Sequence, residues 1–341
     1  MSRSRPQERP PAFTYSSAGP AKKSQSRELL ADAIPLRLLA ERYGTPLYVY
    51  SATAIRQRYQ QFDQAFAACD HTICYSVKAN SNLSILRLLA SLGAGFDIVS
   101  GGELQRVLHA SRKSAGSVVF SGVGKQADEI DLALSSRILL FNVESPSEMQ
   151  LLAARATHLR KTARFAVRVN PDVDAQTHPY ISTGLHEHKF GVPMREAREL
   201  YRKGAGSRYL KATGVSVHIG SQITDVGPFR AAMRRVATLV KALRRDGHDI
   251  RYVDAGGGLG ISYAKNPQGN FPARAKAYAA AIIGPLHRLG LHVLLEPGRS
   301  IVGPAGLLLT RVIYRKRNDG KQFLIVDAAM NDLMRPALYS A

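Results

Sequence analysis

From residue 50 onward, short runs of Val, Ile and Phe alternate with longer stretches whose apolar residues recur at helical spacing. Eight runs read as strands: residues 73–77, 95–99, 117–121, 138–143, 164–170, 214–219, 250–254 and 292–296. Most are short and rich in β-branched and aromatic residues, as strands covered on both faces are. Helical stretches lie between them. Ser81 precedes Leu83, Leu86 and Leu89, a stripe closed by Gly93. Ser145, Pro146 and Glu148 spell a helix start, with Pro early and Glu three residues after Ser. Residues 229–243 and 273–289 carry helix-spaced apolar positions, and residues 52–67 form a helix ahead of the first strand. Eight strand–helix units over roughly 250 residues predict a (β/α)8 barrel. An open doubly wound sheet is the rival, and eight consecutive units without a long break favour closure.

The flanks break this rhythm. Residues 46–50 read as a strand before the barrel. Residues 307–314 and 321–326 are apolar runs around Asn318, Asp319 and Gly320, the pattern of a hairpin. The expected organisation is a disordered basic tail over 1–28, a contribution to a β domain over 29–50, the barrel over 51–305, and an incomplete C-terminal β domain over 306–341. The tail is rich in Ser, Pro, Arg, Gln and Lys and has no apolar block, so it reads neither as a packed element nor as a signal peptide.

Composition adds limits. Of 341 residues, 45% are hydrophobic and 21% charged, an ordinary globular balance. Cys69 and Cys74 form neither a metal quartet nor a disulfide framework, which suits a reduced compartment. No apolar run is long enough to span a membrane, so the expected location is cytoplasmic. The net charge of +21 invites a nucleic-acid reading. The basic residues are scattered, apart from clusters such as Arg315–Lys316–Arg317, and no nucleic-acid motif accompanies them, so neither nucleic acid nor membrane is expected as a partner.

In a barrel the chemistry sits at the C-terminal ends of the strands. Here that rim carries Lys78 and Asn80, Asp97 and Ser100, Ser121 and Gly122, and Asn142 and Glu144. It continues with Asn170, then His218, Ser221 and Gln222, then Gly256–Gly257–Gly258, then Glu296 and Arg299. Each residue also has a plain reading. Lys78 is either a strand-end lysine reaching water through its stem or a desolvated amine able to form a Schiff base. His218 is either a structural hydrogen bonder or a flat ring against a cofactor. The glycines are either a tight turn or a phosphate seat whose backbone amides lie bare; they do not match a nucleotide P-loop. Glu296 either pairs with Arg299 or holds a protonated pyridine nitrogen. Arg335, near Tyr339, is either a surface residue or a bidentate grip on a carboxylate. The convergence of so many polar groups on one edge is more than helix capping accounts for.

Together these residues resemble a known family. The carriers are Tyr75–Asn80, Phe96–Glu103, His218–Gln222, Gly256–Gly258, Glu296–Arg299, residues 178–184, Lys189–Gly191 and Asn331–Tyr339. They are similar to the fold-type III pyridoxal phosphate (PLP) decarboxylases, and among these to the diaminopimelate decarboxylases. The likeness runs from about Thr45 to Tyr339. It implies that Lys78 carries PLP as an internal aldimine and that His218 stacks on its ring. It also implies that Ser221 and Gly256, Gly257 and Gly258 hold the phosphate near Glu296, Gly298 and Arg299, and that Glu296 meets the pyridinium. Arg299, Arg335 and Tyr339 would contact the substrate, and no metal is implied. The implied reaction takes meso-diaminopimelate to L-lysine and carbon dioxide, in a homodimer.

The chain also departs from that pattern. It has no Cys-Glu-Ser-Gly-Asp motif and no later tyrosine, Ala329 stands where glycine is usual, and His186 and His188 precede Lys189. The expectation is therefore a truncated chain with weak PLP binding and little activity. The alternatives are an ornithine or arginine decarboxylase, a racemase on the same barrel, or a PLP-binding pseudoenzyme.

Overall fold

The structure is a computed structural model and describes residues 12–16, 27–173, 189–263 and 270–339. Its contacts divide the chain into two units. One takes residues 56–262 and 268–301; the other takes 1–55, 263–267 and 302–341.

The first unit is the barrel. Its strands are β1 (His71–Ser76), β2 (Gly95–Ile98), β3 (Val118–Phe120), β4 (Leu140–Val143), β5 (Ala163–Asn170), β6 (Leu210–Ser216), β7 (Tyr252–Asp254) and β8 (His292–Leu295). Every neighbouring pair is parallel, and β8 pairs with β1, so the sheet closes on itself. All eight predicted strands are present, shifted by a few residues at their ends. A two-residue strand, Val192–Pro193, adds to β5 from outside the ring.

The register sorts the barrel interior into layers. Cys74, Val119, Leu140, Ala166 and Leu294 form one buried apolar cluster. Two residues further along the same strands stand Ser76, Ser121, Asn142, Arg168 and Glu296, joined by Asp97, Ser216 and Asp254. Successive side chains on a strand point to opposite faces, so positions two apart share the interior. The barrel therefore has an apolar floor and a polar ceiling within one short step. The ceiling is buried: Asp97 and Asp254 are fully covered.

The helices cover the outside. Leu83–Ser91 starts at Asn82, whose side chain accepts the Ser84 N–H at 2.9 Å, one residue later than the predicted Ser81 start. Pro146–Leu159 is capped by Ser145, which accepts the Glu148 N–H at 3.1 Å. The Glu148 carboxylate does not return to Ser145; it turns inward to the Glu144 N–H at 3.0 Å and to Lys125 at 2.7 Å. Phe62, Phe66, Phe229 and Tyr278 pack edge to face in one aromatic cluster.

In the second unit, Phe13–Tyr15, Leu29–Ala31 and Ile34–Pro35 form an antiparallel sheet. Phe13–Tyr15 lies inside the stretch expected to be disordered. Phe13 is 3% exposed and shares a small core with Ala31 and Leu36, against Val49, Leu307 and Leu309. Leu47–Tyr50 pairs antiparallel with Gly306–Leu309. The apolar run 307–314 is thus not one strand. It breaks at Thr310–Arg311, where Asp327 accepts the Thr310 hydroxyl at 2.9 Å and the Arg311 N–H at 2.8 Å. Val312–Asn318 then pairs with Lys321–Val326 across Asp319 and Gly320, both at positive φ, as a two-residue hairpin turn requires.

Candidate active site

Strand β1 runs into a short 3-10 turn, Val77–Ala79, which carries Lys78. The turn is wedged against the end of β8. Ser76 N–H donates to the Pro297 carbonyl at 3.1 Å, and a Cβ on Gly298 would stand 2.9 Å from the Ala79 Cβ. Only glycine fits there, so Gly298 sets how close the two strand ends come.

The Lys78 amine donates to Asp97 Oδ2 at 2.6 Å, and the Ser76 hydroxyl donates to the same oxygen at 2.6 Å. Lys78 is half-exposed, whereas Asp97 is fully buried. Burial is the largest influence on the amine and pulls its pKa down. The charge of Asp97, in contact with the amine, is the largest influence against it, and the amine is held above the usual lysine range. In the cofactor-free protein the amine at this strand end thus has a buried carboxylate as its partner.

Strand β8, the neighbour of β1, and β7 beside it supply a pair of buried acids. Asp254 Oδ2 accepts from Asn142 at 2.5 Å and from Ser216 at 3.1 Å, while Oδ1 accepts the Gly256 N–H at 3.0 Å. Glu296 Oε1 accepts from Ser121 at 3.1 Å. Burial raises both carboxyls. Their mutual hydrogen bond raises Glu296 further and holds Asp254 back, so the proton rests on Glu296. Asp97 Oδ1 and Asn142 Oδ1 are buried acceptors that take no hydrogen bond from the described residues.

His218 follows β6. Its Nδ1 accepts the Gly257 N–H at 3.2 Å and lies 3.9 Å from Glu296 Oε2. An Nδ1 that accepts a hydrogen bond carries no proton, which assigns the remaining ring proton to Nε2. Burial, then the charges of Arg168 and Lys78, push the imidazole well below its ordinary range. The ring is neutral, and its approach to Glu296 is not an ion pair.

The glycine loop is packed tightly on its neighbours. A Cβ on Gly256 would meet the Val217 carbonyl at 2.6 Å; one on Gly257, the Glu296 carbonyl at 2.2 Å; and one on Gly258, the Gly220 carbonyl at 2.4 Å. Gly256 and Gly258 also have positive φ. The next helix among the described residues begins at Phe271, so this loop is not itself a helix start. Ser221 sits half-buried in the facing loop. Arg299 reaches Gln222 Oε1 at 3.4 Å; among the described residues it makes no ion pair with Glu296, which removes that plain reading.

The barrel thus gathers Lys78, His218, Ser221, Gly256, Gly257, Gly258, Glu296, Gly298 and Arg299 at one set of strand ends. Arg335 and Tyr339 belong to the other unit, on a short helix, Arg335–Tyr339, with the Arg335 guanidinium 3.8 Å from the Tyr263 ring centroid. The 178–184 motif, with His186 and His188, lies outside the described residues.

Sequence reasoning missed a second charged cluster. Arg168 pairs with Glu144 at 2.9 Å and covers the Phe190 ring at 4.9 Å. Glu144 also accepts the N–H of Gly122 at 2.9 Å and of Gly191 at 3.2 Å. Lys125 Nζ donates to Glu148 and to the Gly122 and Asn142 carbonyls, each at 2.7 Å. These buried pairs tie the loop after β3 to Lys189–Gly191. One signal was present: Arg168 has the same strand parity as Asn170 and interrupts an otherwise apolar run.

The geometry can be set beside known proteins. Residues 52–303 match the family model "Pyridoxal-dependent decarboxylase, pyridoxal binding domain". Diaminopimelate decarboxylase of Pseudomonas aeruginosa is 51% identical over 314 residues, covering 92% of this chain and 74% of that protein. The Neisseria meningitidis serogroup A enzyme of the same name is 50% identical over 313 residues, covering 92% and 76%. Among solved structures, diaminopimelate decarboxylase from Helicobacter pylori, complexed with L-lysine, superposes with a TM-score of 0.84 at 45% identity, covering 90% of this chain and 76% of that one.

Proposed function

The chain belongs to the pyridoxal-dependent decarboxylases, and on that premise we propose that it removes carbon dioxide from meso-2,6-diaminopimelate to give L-lysine. The observation that carries this reading is the gathering, at one end of the barrel strands, of Lys78 paired with buried Asp97 and of His218 beside buried Glu296.

The residues present fit pyridoxal phosphate by the chemistry of their donors. Lys78 offers an amine for the aldehyde. Glu296, buried beside Ser121, offers a carboxyl for a ring nitrogen, and His218 offers a flat neutral ring. The proposed phosphate contacts are the Gly258 amide and the Ser221 hydroxyl, with Gly256 and Gly257 shaping the loop while their own N–H groups go to Asp254 and His218. Bound there, the cofactor supplies an electron sink for the pair left when the carboxylate departs.

The protein's own part is positioning and proton control. The Gly298 wedge fixes Lys78 at the mouth. Gly257 N–H keeps the His218 ring in one orientation and one tautomer. Buried beside Asp254, Glu296 has its carboxyl raised well above the usual glutamate range, so that pair governs the proton balance on that side of the site. Arg299, Arg335 and Tyr339 are the proposed contacts to the substrate's carboxylates and amine. A cytoplasmic homodimer is part of the same proposal.

The substrate assignment rests on the relatives at 50 and 51% identity, both diaminopimelate decarboxylases. The test is turnover by the PLP-loaded chain of meso-diaminopimelate, ornithine and arginine side by side. Lysine from the first alone supports the reading. Faster release of putrescine or agmatine would assign the chain to another decarboxylase of the family.

A further inference from the structure

Asp97 is a carboxylate with no exposure to water, yet the half-exposed Lys78 is its only charged hydrogen-bond partner among the described residues. A buried carboxylate needs a cation or several hydrogen bonds to stay ionised. Here both partners converge on Oδ2 at 2.6 Å, and both come from one strand and its following turn. Strands β1 and β2 pair Ser76 directly with Asp97, so the hydroxyl and the carboxylate face each other through sheet register rather than through a mobile loop. The turn bearing Lys78 is itself pinned by the Ser76–Pro297 hydrogen bond and by Gly298. Little can move except the lysine stem.

We propose that Asp97 is the positioning residue for Lys78, locking the amine at the barrel mouth as an ammonium ion in the cofactor-free protein, with Ser76 orienting the carboxylate. This deepens the proposed function and rests on it. The lock selects one place for the amine before any cofactor arrives. The other charged or titratable groups that act on Lys78 pull in known directions. Glu296, at the end of β8, favours the ammonium only when ionised, and Arg168, on β5, opposes it. Glu103, on the helix Gly101–Ala110, feels the Lys78 charge but spends its carboxylate on the Val99 N–H at 2.8 Å. His218 is neutral and adds no charge. Among these groups only Asp97 touches the amine.

The test is the pH profile of Lys78 reactivity in the cofactor-free full chain. Trace acetylation with acetic anhydride, followed by peptide mapping, reads Lys78 against the exposed Lys316 in the same sample. In the unaltered protein the Lys78 half-point should lie above the usual lysine range. In Asp97→Asn it should fall by about 1–3 pH units, because an opposite charge in contact is worth that much. Ser76→Ala should move it in the same direction by less. A folded Asp97→Asn whose profile overlays the unaltered one overturns the proposal. Should Asp97→Asn not fold, Ser76→Ala decides, and an unmoved profile there overturns it too. Failure of the proposed function reads out elsewhere: pyridoxal phosphate and borohydride would then leave no label on Lys78, while the acetylation profile would be unaffected.

Discussion

Replacing Gly257 with alanine puts the most strain on the loop at the heart of the site. The new Cβ would stand 2.2 Å from the Glu296 carbonyl oxygen and 3.1 Å from its carbon. Ordinary contact begins at 3.4 Å, so the two strands must part by more than 1 Å. Neither side is free to yield. Gly257 N–H is held by His218, Glu296 N–H donates to the Gly256 carbonyl at 2.8 Å, and Ala255 N–H donates to the Leu294 carbonyl at 2.9 Å. Overpacking of this kind costs about 1–3 kcal/mol, and the pinned backbone points to the upper half of that range. The same displacement drags Glu296, so pyridoxal phosphate should bind at least about tenfold more weakly, a loss of about 1.4 kcal/mol. Denaturant unfolding followed by near-UV circular dichroism and a pyridoxal phosphate titration read the two effects. Gly116→Ala is the control: nothing beyond its chain neighbours lies within 4 Å of its Cβ and its φ is not positive, so stability should change by less than about 0.5 kcal/mol. A Gly257→Ala protein that unfolds and titrates like the unaltered one would refute the packing argument.

Further outcomes follow from the buried charges. Arg168→Ala should cost about 3–5 kcal/mol by denaturant unfolding, because it strands buried Glu144, and Arg168→Met with Glu144→Gln should recover most of it; equal stabilities for single and double variants would count against the ion pair. His218 is neutral when folded and protonated below about pH 6.5 when unfolded, so the unfolded state binds the extra proton and stability falls as pH drops below 6.5, by up to about 1.4 kcal/mol per unit. Unfolding curves at pH 7.5 and 5.5 should therefore diverge between the unaltered protein and His218→Asn, with the variant losing less; parallel curves would argue that the folded imidazole is charged. Glu296 has the opposite sign. Its folded carboxyl keeps a proton that the unfolded one releases above about pH 4.3, so its contribution declines as pH rises from there. Cofactor-free Glu296→Gln should match or exceed the unaltered protein in stability at pH 8, and a clear loss at that pH would contradict the protonated carboxyl.

The strand–helix rhythm was legible because barrel strands are buried on both faces and cannot afford many polar residues. Rim residues such as Lys78, His218 and Glu296 stood out as polar groups ending apolar runs. What escaped notice lay inside those runs or outside the strands. Arg168 reads as an interruption in a valine-rich strand until Glu144 is brought beside it by the next strand in the ring. Lys125 and Glu148 sit in a turn and a helix, and nothing in their own segments indicates that both turn inward. Asp254 read as the start of a glycine loop, whereas the parallel pairing of β7 with β8 makes it a neighbour of Glu296. Phe13–Tyr15 was hidden by its polar surroundings, since three residues leave no periodicity to detect. The break at Thr310–Arg311 depends on Asp327, sixteen residues or more away in sequence, so no local pattern marks it.

Borohydride reduction of the chain after incubation with pyridoxal phosphate, followed by peptide mapping, tests the central claim most directly. One stable pyridoxyl label on Lys78, absent in Lys78→Ala, is the expected result. A label on any other lysine, or none on Lys78 in the folded unaltered chain, would contradict it.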